Sequence, residues 1–492
     1  MIRFILVISS LPILLFAKGK SVEKDQTKTL RTYMPFTSPI DPMSVKTLVD
    51  LELSYALGTT LVGWTSSREL TSQLASSWEF IGENEVHFKI SKKAKWSDGS
   101  VITAQNYVDS LEVAKKNHPE ELSSLFNTLT SIVAKDTSTV VFKLNSSAAK
   151  SSLLRKLTEP MYGLFSVRSG KINFEKSAGA YSLQFAKDSE IQLSANKHSL
   201  VYDSAMPQVV VIRKPVKGAE LQASFLNDTW ANLFSTTSLM PEGLSKKFEG
   251  AGYKKWNRSL DRSFFFGMGK RLSTEDGRNL FKYLYAKMNR QDLFKNLSGY
   301  SLTEQFFPKG YSLFDSEFSF DKSNVLLPEK YKKDALTIMA IESKMDENLK
   351  SNISTEIKRL TGVEPRFKLI PLSDLEKNRT SNDYDIFAAA LPVNDPNVEG
   401  AIGFYFGLTP PVIPNGAGES EDFKKQIEAA KKLLEENQRI AQFRKIFTKA
   451  TQAGCVLPLF HYSTVVLAKD GLDLSAIPTT DETISFSKVR FK

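Results

Sequence analysis

The sequence has one cysteine and four histidines among 492 residues, and it lacks any apolar run long enough to span a bilayer. Each shortage removes a class of function. Cys455 cannot close an internal disulfide, and its setting between Gly454 and Val456-Leu457 marks it as a small buried hydrophobe rather than a nucleophile. His87, His118, His198 and His461 fall at no helical or zinc-ligand spacing, so no metal site is expected. There is no Gly-x-Ser-x-Gly elbow and no glycine-rich phosphate loop. Ser147-Ala148-Ala149-Lys150 fits the Ser-x-x-Lys pattern of penicillin-recognising enzymes, as do Ser21 to Lys24 and Ser319 to Lys322. Without a Lys-Thr-Gly partner, in a chain rich in serine and lysine, these read as chance matches. No enzymatic activity and no cofactor are expected.

The net charge is +10, yet the lysine pairs Lys92-Lys93, Lys115-Lys116, Lys246-Lys247, Lys424-Lys425 and Lys431-Lys432 are scattered. No basic stripe or base-stacking motif accompanies them, so the expectation is a solvated basic surface and no nucleic-acid partner. At the start, Arg3 precedes an apolar stretch from Phe4 to Phe16, followed by Ala17 and the polar Lys18-Gly19-Lys20. A basic start, an apolar core and a small residue at the cut form a secretory signal pattern, read here as residues 1–17. That stretch is shorter than the ~20 residues of a spanning helix. No cysteine stands near the cut to carry a lipid, which points to a free protein of the periplasm.

The hydrophobic pattern changes along the chain. Val86, Phe88 and Ile90, then Val140, Phe142 and Leu144, alternate as half-buried strands do. Between them Trp96-Ser97-Asp98-Gly99-Ser100 reads as a turn, Thr103 as a helix N-cap, and Tyr107, Val108, Leu111 and Ala114 as one face of the helix that follows. In the second half a strand over 335–341 is followed by Leu349, Ile353, Ile357 and Leu360 at helical spacing, with Thr361-Gly362 as the stop. Strands over 367–370 and 386–391 complete a crossover unit of an α/β sheet. Phe423, Ile427, Ala430 and Leu434 predict another helix whose pattern Ile440, Phe443 and Phe447 continue, and Leu457 to Phe460 opens a strand running towards Leu467.

Four blocks in order then carry a resemblance: Leu74-Ala75-Ser76-Ser77-Trp78-Glu79, Val86 to Ile90, Ala94-Lys95-Trp96-Ser97-Asp98-Gly99, and Ile102-Thr103-Ala104-Gln105-Asn106-Tyr107-Val108-Asp109-Ser110-Leu111. Asp41-Pro42, Gly179 to Leu183, Asn289 to Leu293, Asp383 to Ile386 and Leu457 to Phe460 extend it along the chain. The sequence resembles the oligopeptide- and dipeptide-binding family (family 5) of extracytoplasmic solute-binding proteins of ABC importers. The resemblance implies an α/β, two-lobed periplasmic-binding-protein fold of the cluster C type, with an extra subdomain in the first lobe and a central ligand cleft. The division it implies is 18–60, 183–260 and 462–492 for lobe I, 61–182 for the extra subdomain, and 261–461 for lobe II.

The implied function is capture of an oligopeptide or similar small solute between closing lobes and delivery to ABC-importer permease subunits, by a monomer. The alternative is a divergent member acting as a ligand sensor or protein-interaction module. The family's peptide binders hold the peptide's amino group with an aspartate three residues before a proline. Counting back from Pro396 puts Val393 there. Asp395 is the available substitute, with Leu391, Val393 and Asn394 expected along the cleft wall. Phe265 and Phe266, where the chain crosses to the second lobe, and Gly58 and Thr59, in the family's first crossover segment, complete the expected ligand set.

Overall fold

The computed structural model describes residues 28–36, 38–44, 48–65, 69–215, 226, 230–236, 242–256, 258–295, 300–345, 347–371, 374–379, 381–393, 420–433, 435–477 and 483–492. The expected signal segment lies outside them.

Among the described residues the first lobe is formed by three larger sheets with three two-stranded ones beside them, around a large core and a smaller one that holds Phe234 and Phe248. Thr29–Tyr33 pairs in parallel with Val209–Arg213, and Glu190–Ala195 and Tyr181–Ala186 extend that sheet antiparallel. A three-stranded antiparallel sheet runs Leu233–Thr236, Val465–Lys469, Tyr253–Trp256. Asn232 stitches it to the first sheet, its side chain accepting from Arg31 N (2.8 Å) and donating to Thr29 O (2.9 Å). The third sheet is antiparallel in the order Ala75–Ile81, Glu85–Ile90, Thr139–Leu144, Leu129–Ala134.

Against that third sheet lies the helix Ala104–Asn117. Thr103 caps it, its hydroxyl accepting from Asn106 N while Asn106 Oδ1 accepts from Thr103 N, so two orphan amides are satisfied at once. Its inner face carries Ala104, Tyr107, Val108, Ser110, Leu111 and Ala114, all buried. Trp96 is buried beside it, and Gly99 takes φ +82° in the turn where Asp98 pairs with Lys176 at 2.8 Å. That left-handed φ is where glycine carries no Cβ penalty.

The second lobe is built on a mixed six-stranded sheet ordered Tyr300–Leu302, Val456–Tyr462, Arg262–Met268, Ile386–Pro392, Thr337–Ile341, Arg366–Ile370. Thr337–Ile341 and Arg366–Ile370 are parallel, joined by the helix Glu347–Thr361, which buries Leu349, Ile353, Ile357 and Leu360 and ends at Gly362 with φ +80°. This is the crossover unit that the periodicity predicts. Phe264 and Phe266 face one side of the sheet, with Leu280 and Phe460. Phe265 faces the other, with Phe306 and Phe447.

Two expectations differ from the structure. The pattern from Phe423 to Phe447 is two helices, Ser420–Lys431 and Glu436–Gln452, because the interval from Leu434 to Ile440 breaks the three-and-four rhythm. The run from Leu457 towards Leu467 is likewise two strands in different sheets, Val456–Tyr462 and Val465–Lys469, switching at Ser463-Thr464.

Candidate functional site

The chain passes between the two lobes' sheets at two neighbouring places. It leaves Tyr253–Trp256 and enters Arg262–Met268 through residues 258–261, and it returns from Val456–Tyr462 to Val465–Lys469 through Ser463 and Thr464. Asp261 binds the two passages together. Its N–H donates to Tyr462 O (3.1 Å), its carbonyl accepts from Val393 N (2.8 Å), and its carboxylate Oδ1 accepts from Thr464 N (2.8 Å). Arg262 Nε in turn donates to Thr464 Oγ1 at 3.2 Å. Asp261, Arg262 and Thr464 are 4%, 6% and 1% exposed, so these polar groups depend on one another rather than on water.

Further charge converges there. The Arg258 side chain is 1% exposed, and its Nη2 stands 3.9 Å from Asp261 Oδ2, an ion pair but too long for a hydrogen bond. Arg258 Nε, Arg258 Nη2 and Asp261 Oδ2 have no hydrogen-bond partner. Lys344, after the strand Thr337–Ile341, has its ammonium pKa brought down to about 7, first by burial and then by the positive charge of Arg262. His461 lies opposite Ser263 on the return strand. Burial pushes its imidazole down to about 4, against a hydrogen-bonding contact of Nε2 with Phe306 O at 3.1 Å.

The residues expected from sequence fall around this crossing unevenly. Val393 is buried at the end of Ile386–Pro392, with its amide on Asp261. Leu391 lies opposite Ser263 in the sheet. Asn394 and Asp395 lie outside the described residues. Phe265 and Phe266 are on the crossing strand, but both rings are 0% exposed and packed into the two cores of the second lobe. Gly58 and Thr59 belong to the first lobe, after the helix Leu48–Leu57. A Cβ at Gly58 would stand 2.7 Å from the Phe165 ring, which would have to shift to admit it, and Thr59 O accepts from Leu164 N at 2.7 Å.

Sequence reasoning passed over Arg258, Asp261, Arg262, Lys344 and Thr464. The available signal was the dipeptide Asp261-Arg262 directly ahead of Phe264-Phe265-Phe266, a charged pair at the mouth of an apolar strand. At the Ser147 to Lys150 match, Lys150 Nζ donates to Gly82 O (2.7 Å) and sits over the Phe80 ring at 5.5 Å. Among the described residues no group of three or more His, Cys, Asp or Glu side chains could hold a metal ion, and no helix is long and apolar enough to cross a membrane.

Comparison with known proteins gives this architecture its relatives. Residues 69–214 match the family of bacterial extracellular solute-binding proteins described as family 5 Middle. No curated protein matches. Among solved structures, the murein tripeptide binding protein MppA of Escherichia coli superposes with TM-score 0.70 at 14% identity, covering 94% of this chain and 98% of that one. OppA of Haemophilus influenzae in complex with RPPGFSPFR gives TM-score 0.70 at 15% identity over 95% and 99%. NikA of Brucella suis in complex with Fe(III)-EDTA gives 0.76 at 13% identity over 94% and 100%. At these identities the likeness to each structure is one of fold, and the family concerned is one of solute-binding proteins rather than of catalysts. Residues 69–214 thus match the family 5 Middle model of bacterial extracellular solute-binding proteins, and nearly the whole chain has the two-lobed fold of these solved structures.

Proposed function

We propose that this protein captures a small solute, an oligopeptide or a compound of similar size and polarity, between two closing lobes and delivers it to the permease subunits of an ABC importer. The observation that carries this reading is the charged crossing of Arg258, Asp261 and Arg262, whose side chains are buried where both chain passages join the lobes, with the half-buried Lys344 near Arg262. A crossing of short segments is where hinged domains absorb rotation, and buried charge there is suited to grip polar groups of a ligand excluded from water. The lobes run as 18–60, 183–260 and 462–492 for the first, 61–182 for its subdomain and 261–461 for the second. In this reading the protein works as a monomer in the periplasm, without a cofactor and without catalysis.

The test is native mass spectrometry of the purified protein, followed by thermal-shift screening against short peptides, metal chelates and sugars. Co-purified peptides with a matching upward shift support the reading. Chelates or sugars that shift the melt while peptides do not would replace the solute class. Val393, 4% exposed and apolar where the family's peptide binders are expected to have an aspartate, favours a second reading as a ligand sensor without transport. Reconstitution with permease and ATPase partners separates the two, since a sensor binds solute but drives no uptake.

A further inference from the structure

The two Arg258 nitrogens left without partners are Nε and Nη2. They lie along one edge of the guanidinium, and that edge presents two parallel N–H bonds spaced for the two oxygens of a carboxylate. A side chain 1% exposed with this edge unfilled is expensive, because the lost hydrogen bonds to water are not replaced. The nearest acceptor, Asp261 Oδ2, is itself unpartnered and stands 3.9 Å from Nη2. Asp261 cannot readily turn to close that gap, because Oδ1 is committed to Thr464 N at 2.8 Å and the backbone is fixed on Tyr462 and Val393. The result is an unfilled double donor beside an unfilled single acceptor, both buried.

A group that satisfies both must accept twice and donate once within a few ångströms. A carboxylate with an N–H on the adjacent carbon does so: its oxygens take the Arg258 edge, and its N–H donates to Asp261 Oδ2. We propose that Arg258 and Asp261 form a subsite for this unit, the C-terminal residue of a peptide or the head of an α-amino acid. Arg262, next in the chain to Asp261 and tied to Thr464, adds positive charge beside the pair, which favours the carboxylate over its neutral amide. The inference rests on the reading of the crossing as the solute site. It adds which end of the solute is held, and by which residues.

The test measures binding by calorimetry to wild type and to Arg258→Lys, with tri-alanine, tri-alaninamide, N-acetyl-tri-alanine, alanine and N-acetylalanine as probes. Lysine keeps the buried charge but loses the two-pronged edge, and far-UV circular dichroism checks that the variant folds. The expected result is that wild type binds tri-alanine at least about ten-fold more tightly than its amide, the scale of one charge-assisted contact. N-acetylation should change affinity little, and Arg258→Lys should abolish the acid-over-amide preference. Acid and amide binding wild type equally would overturn the subsite while leaving peptide capture intact. A preference that survives in Arg258→Lys would also overturn it. Binding of alanine or N-acetylalanine without binding of tri-alanine, lost in Arg258→Lys, would uphold the subsite and remove the peptide as solute. No binding by any probe would overturn both.

Discussion

The imidazole of His461 offers a sharp physical test of the second lobe. It is 4% exposed on the strand Val456–Tyr462, and burial holds its pKa at about 4, against 6.5 for a free side chain. In the unfolded chain the ring protonates as pH falls through 6.5. In the folded chain it resists until about 4. Between those values the unfolded state binds the extra proton, so stability falls as pH falls, by about 1.4 kcal/mol per pH unit. This contribution is whole above pH 6.5 and is lost progressively down to pH 4, a total of roughly 3 kcal/mol from one residue. The perturbation is acidification, compared between wild type and His461→Gln, which has no proton to take. Urea unfolding at pH 7.0, 6.0, 5.0 and 4.5 gives each stability, and the difference between the two proteins cancels the carboxylates that titrate in both. The wild-type advantage should shrink steadily below pH 6.5. A difference constant across that range would refute the argument and place the ring in contact with solvent or with an acid.

Three further outcomes follow from single contacts. Lys344→Met should be more stable than wild type below pH 7, with the gap narrowing as pH rises from 7 towards 10.5, because only the unfolded wild type then stays fully protonated; urea midpoints across that range check it. Gly277→Ala should lose about 3 kcal/mol, because the added Cβ would stand 1.9 Å from the Leu272 carbonyl oxygen and must displace backbone; a lowered urea midpoint or loss of soluble protein is the readout. Thr103→Ala should lose about 1 kcal/mol by removing the cap from the helix Ala104–Asn117, measured as a shift in the same midpoint.

How much of this was legible in the sequence depended on whether the deciding interaction was local. The cap at Thr103, the stripe from Leu349 to Leu360 and the stop at Gly362 are set by neighbours three or four residues away, and each stands in the structure as the pattern predicts. The switch between sheets at Ser463-Thr464 was not legible. No glycine or proline punctuates it, and Val465 to Leu467 continues the apolar run, so only pairing with Leu233–Thr236 and Tyr253–Trp256 reveals a second strand. The charged crossing was hidden for a different reason. Its members Arg258, Asp261, Lys344 and Thr464 are spread over two hundred residues, and a buried arginine looks in sequence like the many exposed ones. Phe265 and Phe266 were legible as a strand with rings on both faces, but the thickness of apolar material on each side was not.

The position of the last strands has a consequence for how the protein is made. The first lobe contains both the early strand Thr29–Tyr33 and the late segment that buries Phe486 and Val489, while Ile484 N donates to the Glu52 carboxylate at 2.7 Å. Everything that builds the second lobe is synthesised in between. The second lobe can therefore finish while the first still waits for its closing pieces, although the first began earlier. A chain cut short near residue 470 would keep the later lobe's apolar interior whole and strip Leu472, Leu474, Ile477, Ile484, Phe486 and Val489 from the earlier one's, so that damage at the C-terminus would be felt at the N-terminus.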